Sequence, residues 1–269
     1  MTDTYDARLS LQGPGDEAVV LVPGMDGTGQ LFYRQVPSLA GAYRVATYAL
    51  RDDARTLDQL VADLAGIVDA AAPATGRAIV IGESFGGALA MSFALAHPEK
   101  VQALVVLNSF PYFAPQARLH LAAWGLGVLP WGAMTLIRRL TAFRMHSRHT
   151  HRDEVQQFLA LTARASRDGY VGRLKLLMRY DVRERLQDLV PPTLFLAADQ
   201  DHLVPSVAQA RFMAARTPGA VMRVLEGQGH ICLIAPDVDL RQILNEWRPA
   251  SHPARAPLAT GGSGTATTA

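Results

Sequence analysis

A Gly-x-Ser-x-Gly motif at Gly82, Ser84 and Gly86 limits the folds that this chain can adopt more than any other part of its sequence. Residues 78–81, Ala-Ile-Val-Ile, precede the motif and are typical of a short buried strand. Residues 88–95 follow it and are mostly good helix formers. The sequence therefore predicts a strand, a sharp turn and a helix, the setting in which this motif presents a serine nucleophile.

Ser84 needs such a turn because a serine hydroxyl is a poor nucleophile unless it is exposed and held near a base. A turn this tight is expected to place Ser84 in a strained φ/ψ region, and larger side chains at Gly82 and Gly86 would clash across it. The helix that follows would direct its first backbone N–H groups at a developing oxyanion. The alternative is a Gly- and Ser-rich turn with no chemical role.

Predicted strands and helices alternate over most of the chain. A Thr56–Gln59 capping box begins one helix, whose apolar residues recur on a single face. Such alternation is typical of a mostly parallel sheet with helices on both faces, so we expect an α/β fold. Besides the strand before Ser84, strands are predicted at 18–22, 43–49, 103–107, 193–197 and 220–225, and helices at 30–39, 206–217 and 240–247.

The alternation stops between residues 111 and 189, where helix formers dominate and no strand is predicted. Residues 121–137 carry no charge, but they contain several Gly and Pro residues and fall short of the ~18–20 apolar residues that a membrane span needs. We expect two short helices there and no membrane span. The predicted organisation is a core of residues 1–110 and 190–247, a helical cap at 111–189 and a disordered, low-complexity tail at 248–269.

A glycine-rich loop, Pro-Gly-Met-Asp-Gly-Thr-Gly at 23–29, follows the strand at 18–22. Such a loop can hold a phosphate, but this one lacks both the Lys-Ser/Thr ending of a P-loop and the G-x-G-x-x-G spacing. With Ser84 downstream, we favour an oxyanion hole, in which the backbone N–H groups of Met25 and Phe85 are the donors. A plain strand-to-helix turn is the alternative.

Three residues able to act together, Ser84, Asp201 and His230, each follow a predicted strand. Because the carboxyl ends of parallel strands share one edge of an open sheet, these side chains are expected to meet there. Asp199 is a rival for the acid, and a histidine that caps a glycine-rich turn is the alternative for His230.

The motifs together resemble the α/β-hydrolase superfamily, over roughly residues 15 to 247 with a helical cap in between. They are Val20–Gly24, Gly82–Gly87, Asp201–Pro205 and Gly227–His230. The order Ser, Asp, His along the chain is the order in this superfamily. Pro23-Gly24 departs from the His-Gly of many members, which concerns the oxyanion loop and not the three polar residues. The loop at 23–29 is similar to that of an esterase/acyltransferase-like branch.

The resemblance implies a carboxylic ester hydrolase that needs no cofactor and acts on a small-molecule ester. Ser84 would attack the acyl carbon, His230 would move the proton, and Asp201, three residues before Val-Pro, would orient the imidazole. Acyl transfer or perhydrolysis on the same acyl-enzyme is the alternative, and a non-catalytic ligand receptor is a more distant one. An insertion before the acid strand would lie above Ser84, so its apolar residues would line the acyl pocket and favour short-to-medium acyl chains. The candidates are Trp124, Leu129, Trp131 and Met134, unless they only bury one another.

Composition bounds the remaining possibilities. With 26 basic and 24 acidic residues, the chain has no charge excess that would favour nucleic acid. A single cysteine, Cys232, and a polar N-terminus without a signal-peptide pattern predict a reducing, cytoplasmic location. We interpret Cys232 as a packing residue and Glu83 as a polar neighbour that supports the turn. The cluster of His146, His149 and His151 is expected to be a solvated basic turn and not a metal site, since suitable further ligands are lacking.

Overall fold

A seven-stranded sheet organises the protein, in a computed structural model that describes residues 9–113 and 152–247. The strands are β1 (Leu9–Gln12), β2 (Ala18–Val22), β3 (Arg44–Tyr48), β4 (Ala78–Glu83), β5 (Val101–Leu107), β6 (Thr193–Ala198) and β7 (Val221–Leu225). The strand order is β1-β3-β2-β4-β5-β6-β7, and every neighbouring pair is parallel except the antiparallel pair β1 and β3. This confirms the predicted α/β fold.

The central strands are buried on both faces, as continuous apolar sequences require. Every residue of β2, β4 and β6 is buried, and β5 has one half-buried residue, Gln102. Strand β1 was not predicted, because Leu-Ser-Leu-Gln is short, alternating and mostly exposed. Its strand conformation depends on pairing with β3, a partner more than thirty residues away in the chain.

Helices cover both faces of the sheet. The helices of the described residues are α1 (Gln35–Ala40), α2 (Leu57–Ala71), α3 (Phe85–Ala96), α4 (Arg152–Thr162), α5 (Arg167–Leu177), α6 (Ser206–Ala214) and α7 (Leu240–Trp247). Helices α2, α3 and α6 pack on one face, and α1 and α7 on the other. Three 3₁₀ turns lie at Gln30–Phe32, Pro98–Lys100 and Arg183–Asp188.

Helix α2 begins as predicted. The Thr56 hydroxyl accepts a hydrogen bond from the Gln59 N–H at 3.3 Å, and the Gln59 side chain accepts one from the Thr56 N–H at 3.3 Å. This reciprocal capping box is confirmed, and the predicted apolar face is turned into the core at Leu60, Val61, Leu64, Ile67 and Val68.

The prediction of one helix over residues 30–39 is wrong in one respect. The segment forms two elements, the 3₁₀ turn at Gln30–Phe32 and helix α1. Pro37 gives the physical reason. In a continuous helix its ring would clash with the carbonyl group four residues earlier, at Tyr33, whereas a helix that begins at Gln35 places Pro37 in the first turn, where no N–H is needed.

Helices α4 and α5 occupy part of the region where the strand pattern stops. Phe158 of α4 packs against Ile231 and Ile234, beside the turn that carries His230. Leu176 and Leu177 of α5 join the main core cluster. The boundaries of a separate cap stay a prediction. Trp124, Leu129, Trp131, Met134, the three histidines at 146, 149 and 151, and the tail from residue 248 lie outside the described residues.

Within residues 9–113 and 152–247, no helix combines the length and the hydrophobicity that crossing a membrane requires.

Candidate active site

Ser84 stands at the sharp turn between β4 and α3, with φ 56° and ψ −118°. A Cβ atom at Gly82 would lie 2.2 Å from the carbonyl oxygen of Gly86. A Cβ atom at Gly86 would lie 2.3 Å from the carbonyl oxygen of Val22. Only glycine fits at these two positions because backbone atoms, which cannot rotate away, occupy the space. The strain at Ser84 and the clash expected from larger residues are both present.

Four hydrogen bonds fix the backbone of Ser84. Its N–H donates to the Leu107 carbonyl at 2.9 Å, which ties the turn to the end of β5. Its carbonyl oxygen accepts from the Ser109 hydroxyl at 2.7 Å and from the N–H groups of Gly87 and Ala88 at 3.0 and 3.2 Å. The strained conformation is therefore held from the neighbouring strand and from the helix together.

The structure joins Ser84, His230 and Asp201 by two consecutive hydrogen bonds. His230 Nε2 lies 3.1 Å from Ser84 Oγ, and His230 Nδ1 lies 2.7 Å from Asp201 Oδ2. The His230 side chain is 6% exposed and the Asp201 side chain is fully buried. An ionised carboxylate can only accept, so Nδ1 carries the proton and Nε2 is left to accept the hydrogen of the Ser84 hydroxyl.

Asp201 is kept ionised by its surroundings. Burial raises the pKa of this carboxyl, but hydrogen bonds from His230 and Ser206 and the charge of His230 outweigh it, so the net pKa lies below the ordinary value. The N–H groups of Leu203 and Val204 both donate to Oδ1 at 2.9 Å, and the Ser206 hydroxyl donates to Oδ2. Asp201 is thus an anchored anion beside the imidazole of His230.

Asp199, the rival acid, is exposed, and its backbone N–H donates to the Leu225 carbonyl at 3.3 Å. The structure brings Asp201 to His230 instead. The neighbouring His202 is exposed and does not take part in this arrangement. Cys232 is fully buried, and burial raises the pKa of its thiol well above the usual range, which keeps it protonated and unreactive. Its side chain belongs to the cluster packed beneath the sheet.

Asn108 joins the loops that carry the acid and the histidine, and sequence reasoning missed it. It follows β5 with φ 46° and is 1% exposed. Its side-chain amide donates to the His230 carbonyl at 2.8 Å, while its side-chain oxygen accepts from the Ala198 N–H at 2.8 Å. The available signal was weak: an asparagine directly after a buried strand tolerates left-handed backbone better than most residues.

The loop at 23–29 runs beside Ser84. The Gly27 N–H donates to the Gly24 carbonyl at 3.1 Å, closing a turn around Met25 and Asp26. The Asp26 carboxylate accepts from the Thr28 N–H at 2.9 Å and from the Thr28 hydroxyl. Met25 lines the cavity at Ser84, and Phe85 is the first residue of α3. Their roles as oxyanion donors stay a prediction.

A cavity of about 240 Å³ opens onto Ser84 and His230. The part of its wall that the structure describes is mainly apolar. It includes Leu31 and Phe32 after the glycine-rich loop, Phe158, Thr162, Ala165 and Tyr170 from α4, α5 and the segment between them, and Leu203 and Ile231 beside Asp201 and His230. This wall suits the carbon chain of a small substrate.

Glu83 also lines this cavity, one residue before Ser84. Its side chain is nearly buried, and Oε1 has no hydrogen-bond partner among the described residues. Burial raises the pKa of Glu83 to about 8, with further contributions from the negative charges of Asp26 and Asp201. At neutral pH this carboxyl is therefore mostly uncharged.

In the described part of the chain, no three His, Cys, Asp or Glu side chains are grouped so that they could hold a metal ion.

Comparison with known proteins defines the class. The sequence profile of the α/β-hydrolase fold matches residues 17–235, so the chain belongs to the α/β-hydrolase fold family. Members of this family include hydrolytic enzymes, as the relatives below illustrate.

A 25% identical protein from Pantoea ananatis (strain LMG 20103) is named "Putative carbamate hydrolase RutD", and the match covers 94% of this chain and 96% of that one. A protein of the same name from Yersinia enterocolitica is 30% identical over 71% of this chain and 73% of its own.

Solved structures share the fold. A bromoperoxidase from Bacillus anthracis superposes with a TM-score of 0.78 at 18% identity, covering 89% of this chain and 94% of that one. An esterase from Thermogutta terrifontis gives a TM-score of 0.76 at 20% identity, with 89% and 92% covered. The enol-lactonase from Burkholderia xenovorans LB400 gives 0.73 at 20% identity, with 85% and 92% covered. At these identities the likeness establishes the fold alone.

Proposed function

We propose that the protein is a carboxylic ester hydrolase that forms an acyl-enzyme on Ser84. The observation that carries the proposal is the pair of hydrogen bonds from Ser84 Oγ to His230 and from His230 to Asp201, at 3.1 and 2.7 Å. These distances lie within the range in which a base can take a proton from a nucleophile and a carboxylate can orient that base.

In the proposed reaction, Ser84 Oγ bonds to the acyl carbon as its proton passes to His230 Nε2. The imidazolium then gives this proton to the leaving alcohol as the ester C–O bond breaks. Water repeats the sequence on the acyl-enzyme, losing a proton to His230, and the carboxylic acid is released. Asp201 stabilises the imidazolium in both halves. The N–H groups of Met25 and Phe85 are proposed to stabilise the oxyanion, a contribution typically worth 10²–10³-fold in kcat for each donor.

We propose short-to-medium acyl chains as substrates, because the described cavity wall is apolar and the cavity is small. Each additional CH₂ buried in such a pocket contributes about 0.8 kcal/mol, or roughly fourfold in kcat/KM, until the pocket is full. Trp124, Leu129, Trp131 and Met134 remain proposed members of this pocket. The lone buried thiol of Cys232 supports a proposed reducing, cytoplasmic location.

Carbamate hydrolysis is the second candidate, and the names of the relatives from Pantoea ananatis and Yersinia enterocolitica favour it. A carbamate presents the same carbonyl geometry to Ser84 but forms a less reactive carbamoyl-enzyme. Transfer of the acyl group to an alcohol or to peroxide differs from hydrolysis only in the molecule that attacks the intermediate, so analysis of the products distinguishes these reactions.

The test combines a fluorophosphonate probe with a panel of substrates. The probe should label the protein once, on Ser84, and labelling of Ser84→Ala would overturn the assignment of the nucleophile. The panel contains 4-nitrophenyl esters of graded acyl length and matched 4-nitrophenyl carbamates, each run with and without added alcohol or hydrogen peroxide. We expect the butyrate-to-octanoate esters to exceed the acetate in kcat/KM. A higher kcat/KM for the carbamates would favour the second candidate.

A further inference from the structure

Arg173, on helix α5, is a buried cation outside the Ser84–His230–Asp201 line. Its side chain is 2% exposed, and it is among the largest fully buried side chains of the described residues. A buried guanidinium destabilises the folded protein unless its donors are satisfied, so the partners of Arg173 indicate what holds it there.

Three donors of Arg173 contact two loops of the core. Nε donates to the Met25 carbonyl at 2.9 Å, and Nη2 donates to the Asp26 carbonyl at 3.1 Å. Nη1 donates to Asp52 Oδ1 at 3.2 Å, in the loop after β3. Two of the three acceptors are therefore consecutive backbone carbonyls of the loop proposed to supply an oxyanion donor.

The surrounding glycines leave space for this guanidinium. A Cβ atom at Gly27, where φ is 71°, would lie 2.6 Å from Arg173 Cζ. A Cβ atom at Gly169, one turn earlier on α5, would lie 1.8 Å from Asp52 Oδ1. The second glycine of the Pro-Gly-Met-Asp-Gly-Thr-Gly loop is thus required both by its backbone conformation and by close contact with Arg173.

These contacts orient consecutive peptide groups of the loop. The bond from the Gly27 N–H to the Gly24 carbonyl fixes the peptide plane that also carries the Met25 N–H. The two bonds from Arg173 fix the next two planes, through the Met25 and Asp26 carbonyls. A flip of the Gly24–Met25 peptide would break the bond from the Gly27 N–H to the Gly24 carbonyl. Arg173 holds the two peptide planes that join Met25 to Gly27, so it stabilises the turn that sets the direction of the Met25 N–H.

We infer that Arg173 is a positioning residue that holds the 23–29 loop so that the Met25 N–H faces the oxyanion formed at Ser84. This inference rests on the proposed function. Arg173 does not line the cavity at Ser84, and it acts through the backbone of Met25 and Asp26. Its fixed positive charge behind the loop adds to the same electrostatic stabilisation. Because Arg173 is carried by α5, the oxyanion hole can be complete only when that helix is packed against the 23–29 loop.

The experiment compares wild type with Arg173→Met, which keeps an unbranched apolar side chain in place of the arginine methylenes but removes the charge and all donors. We expect kcat for a 4-nitrophenyl ester to fall about 10- to 100-fold, less than the loss of an oxyanion donor itself, with KM changed less than about threefold. Affinity for a trifluoromethyl ketone, which forms an oxyanion on the serine, should fall by the same factor as kcat. Arg173→Lys, which keeps the charge but not the planar fork, should give an intermediate kcat.

Arg34→Met is the matched control, since Arg34 forms an ion pair with the buried Glu154 of α4 and lies outside the cavity wall. It should lower the melting temperature while kcat and ketone affinity stay within about twofold of wild type. If Arg173→Met does not fold, Arg173→Lys takes its place, and a folded Arg173→Lys with wild-type kcat and ketone affinity would overturn the inference. So would a folded Arg173→Met that behaves like Arg34→Met.

Fluorophosphonate labelling separates this inference from the proposed function. If the wild type is not labelled on Ser84, the proposed function fails. If the wild type is labelled and Arg173→Met is labelled at the same rate, only the role of Arg173 is wrong. We expect labelling of both proteins, with the Arg173→Met rate reduced by the same factor as kcat.

Discussion

The turn at Ser84 and the loop at 23–29 both approach the same proposed oxyanion, but they are held in different ways. The turn is held by glycine packing against adjacent backbone and by hydrogen bonds from the next strand, its own helix and Ser109. The loop is held partly by Arg173, which lies 148 positions further along the chain than Met25. A local motif therefore determines where Ser84 stands, whereas we propose that helix α5, through Arg173, helps to determine the direction of the Met25 N–H.

The largest expected effect is a loss of kcat when the contact between Asp201 and His230, which lie on separate loops, is altered. Asp201→Asn should lower kcat by about 10⁴, because the amide would hold His230 in the wrong tautomer, as in the serine proteases that use the same arrangement. The fold should change little, since asparagine keeps the shape of the side chain. Asp199→Asn is the control, and we expect it to stay near wild-type kcat. A larger loss in Asp199→Asn than in Asp201→Asn would reverse the assignment of the acid.

Gly86→Ala tests the turn at Ser84, where we expect a substitution to lower the stability of the fold as well as the activity. The added Cβ would meet the Val22 carbonyl at 2.3 Å, so β2 or α3 must shift, and we expect a loss of about 3 kcal/mol or more in the free energy of unfolding. Urea denaturation measures this loss. Gly76→Ala provides the control, because Gly76 has φ 63° but no atom within 4 Å of the added Cβ. It should lose only about 1 kcal/mol, and equal losses would show that packing around the turn is not the cause.

Glu83→Gln tests the carboxyl that lies between the turn and the loop. The pKa of Glu83 is raised to about 8 in the folded protein, so the folded state binds a proton that the unfolded state releases above pH 4.5. The stability contributed by the protonated carboxyl is complete below about pH 4.5 and is lost as pH rises to about 8. Relative to Glu83→Gln, the wild type should lose on the order of 3 kcal/mol between pH 5 and pH 8, with a small further loss that ends near about pH 9.

Urea denaturation at several pH values measures this difference. A gap between wild type and Glu83→Gln that stays constant from pH 5 to pH 8 would show that Glu83 ionises normally in the folded protein.

The smallest effects are expected from the N-caps of helix α2, which packs on the sheet, and of helix α5, which carries Arg173. Thr56→Ala removes the cap of α2, and Ser166→Ala removes the side-chain acceptor for the Gly169 N–H at the start of α5. Each should lower the free energy of unfolding by about 1 kcal/mol. Only Ser166→Ala should also lower kcat, by a few-fold, because α5 carries Arg173. Equal kcat values in both variants would argue against coupling between α5 and the 23–29 loop.

Sequence reasoning identified the fold and the three polar residues for different physical reasons. The continuous apolar runs of β2, β4 and β6 could only be strands buried on both faces, and parallel strands bring their carboxyl ends to one edge. The turn at Ser84 was predictable because its steric demands fall on residues within the motif itself. The choice between Asp199 and Asp201 depended on the family pattern, and the structure places Asp201 at His230.

Other features have no local signature in the chain. Strand β1 forms because it can pair with the edge of β3. The helix predicted at residues 30–39 is divided because Pro37 is accommodated only in the first turn of a helix. Asn108 and Arg173 resemble many polar residues that follow a strand or occupy a helix, and their acceptors are 122 and 148 positions away. The turn at Ser84 and the order of strands and helices could be predicted from the sequence, since both depend on neighbouring residues. The meeting of buried polar groups could not be predicted, because a hydrogen bond between distant segments depends on how the whole chain packs.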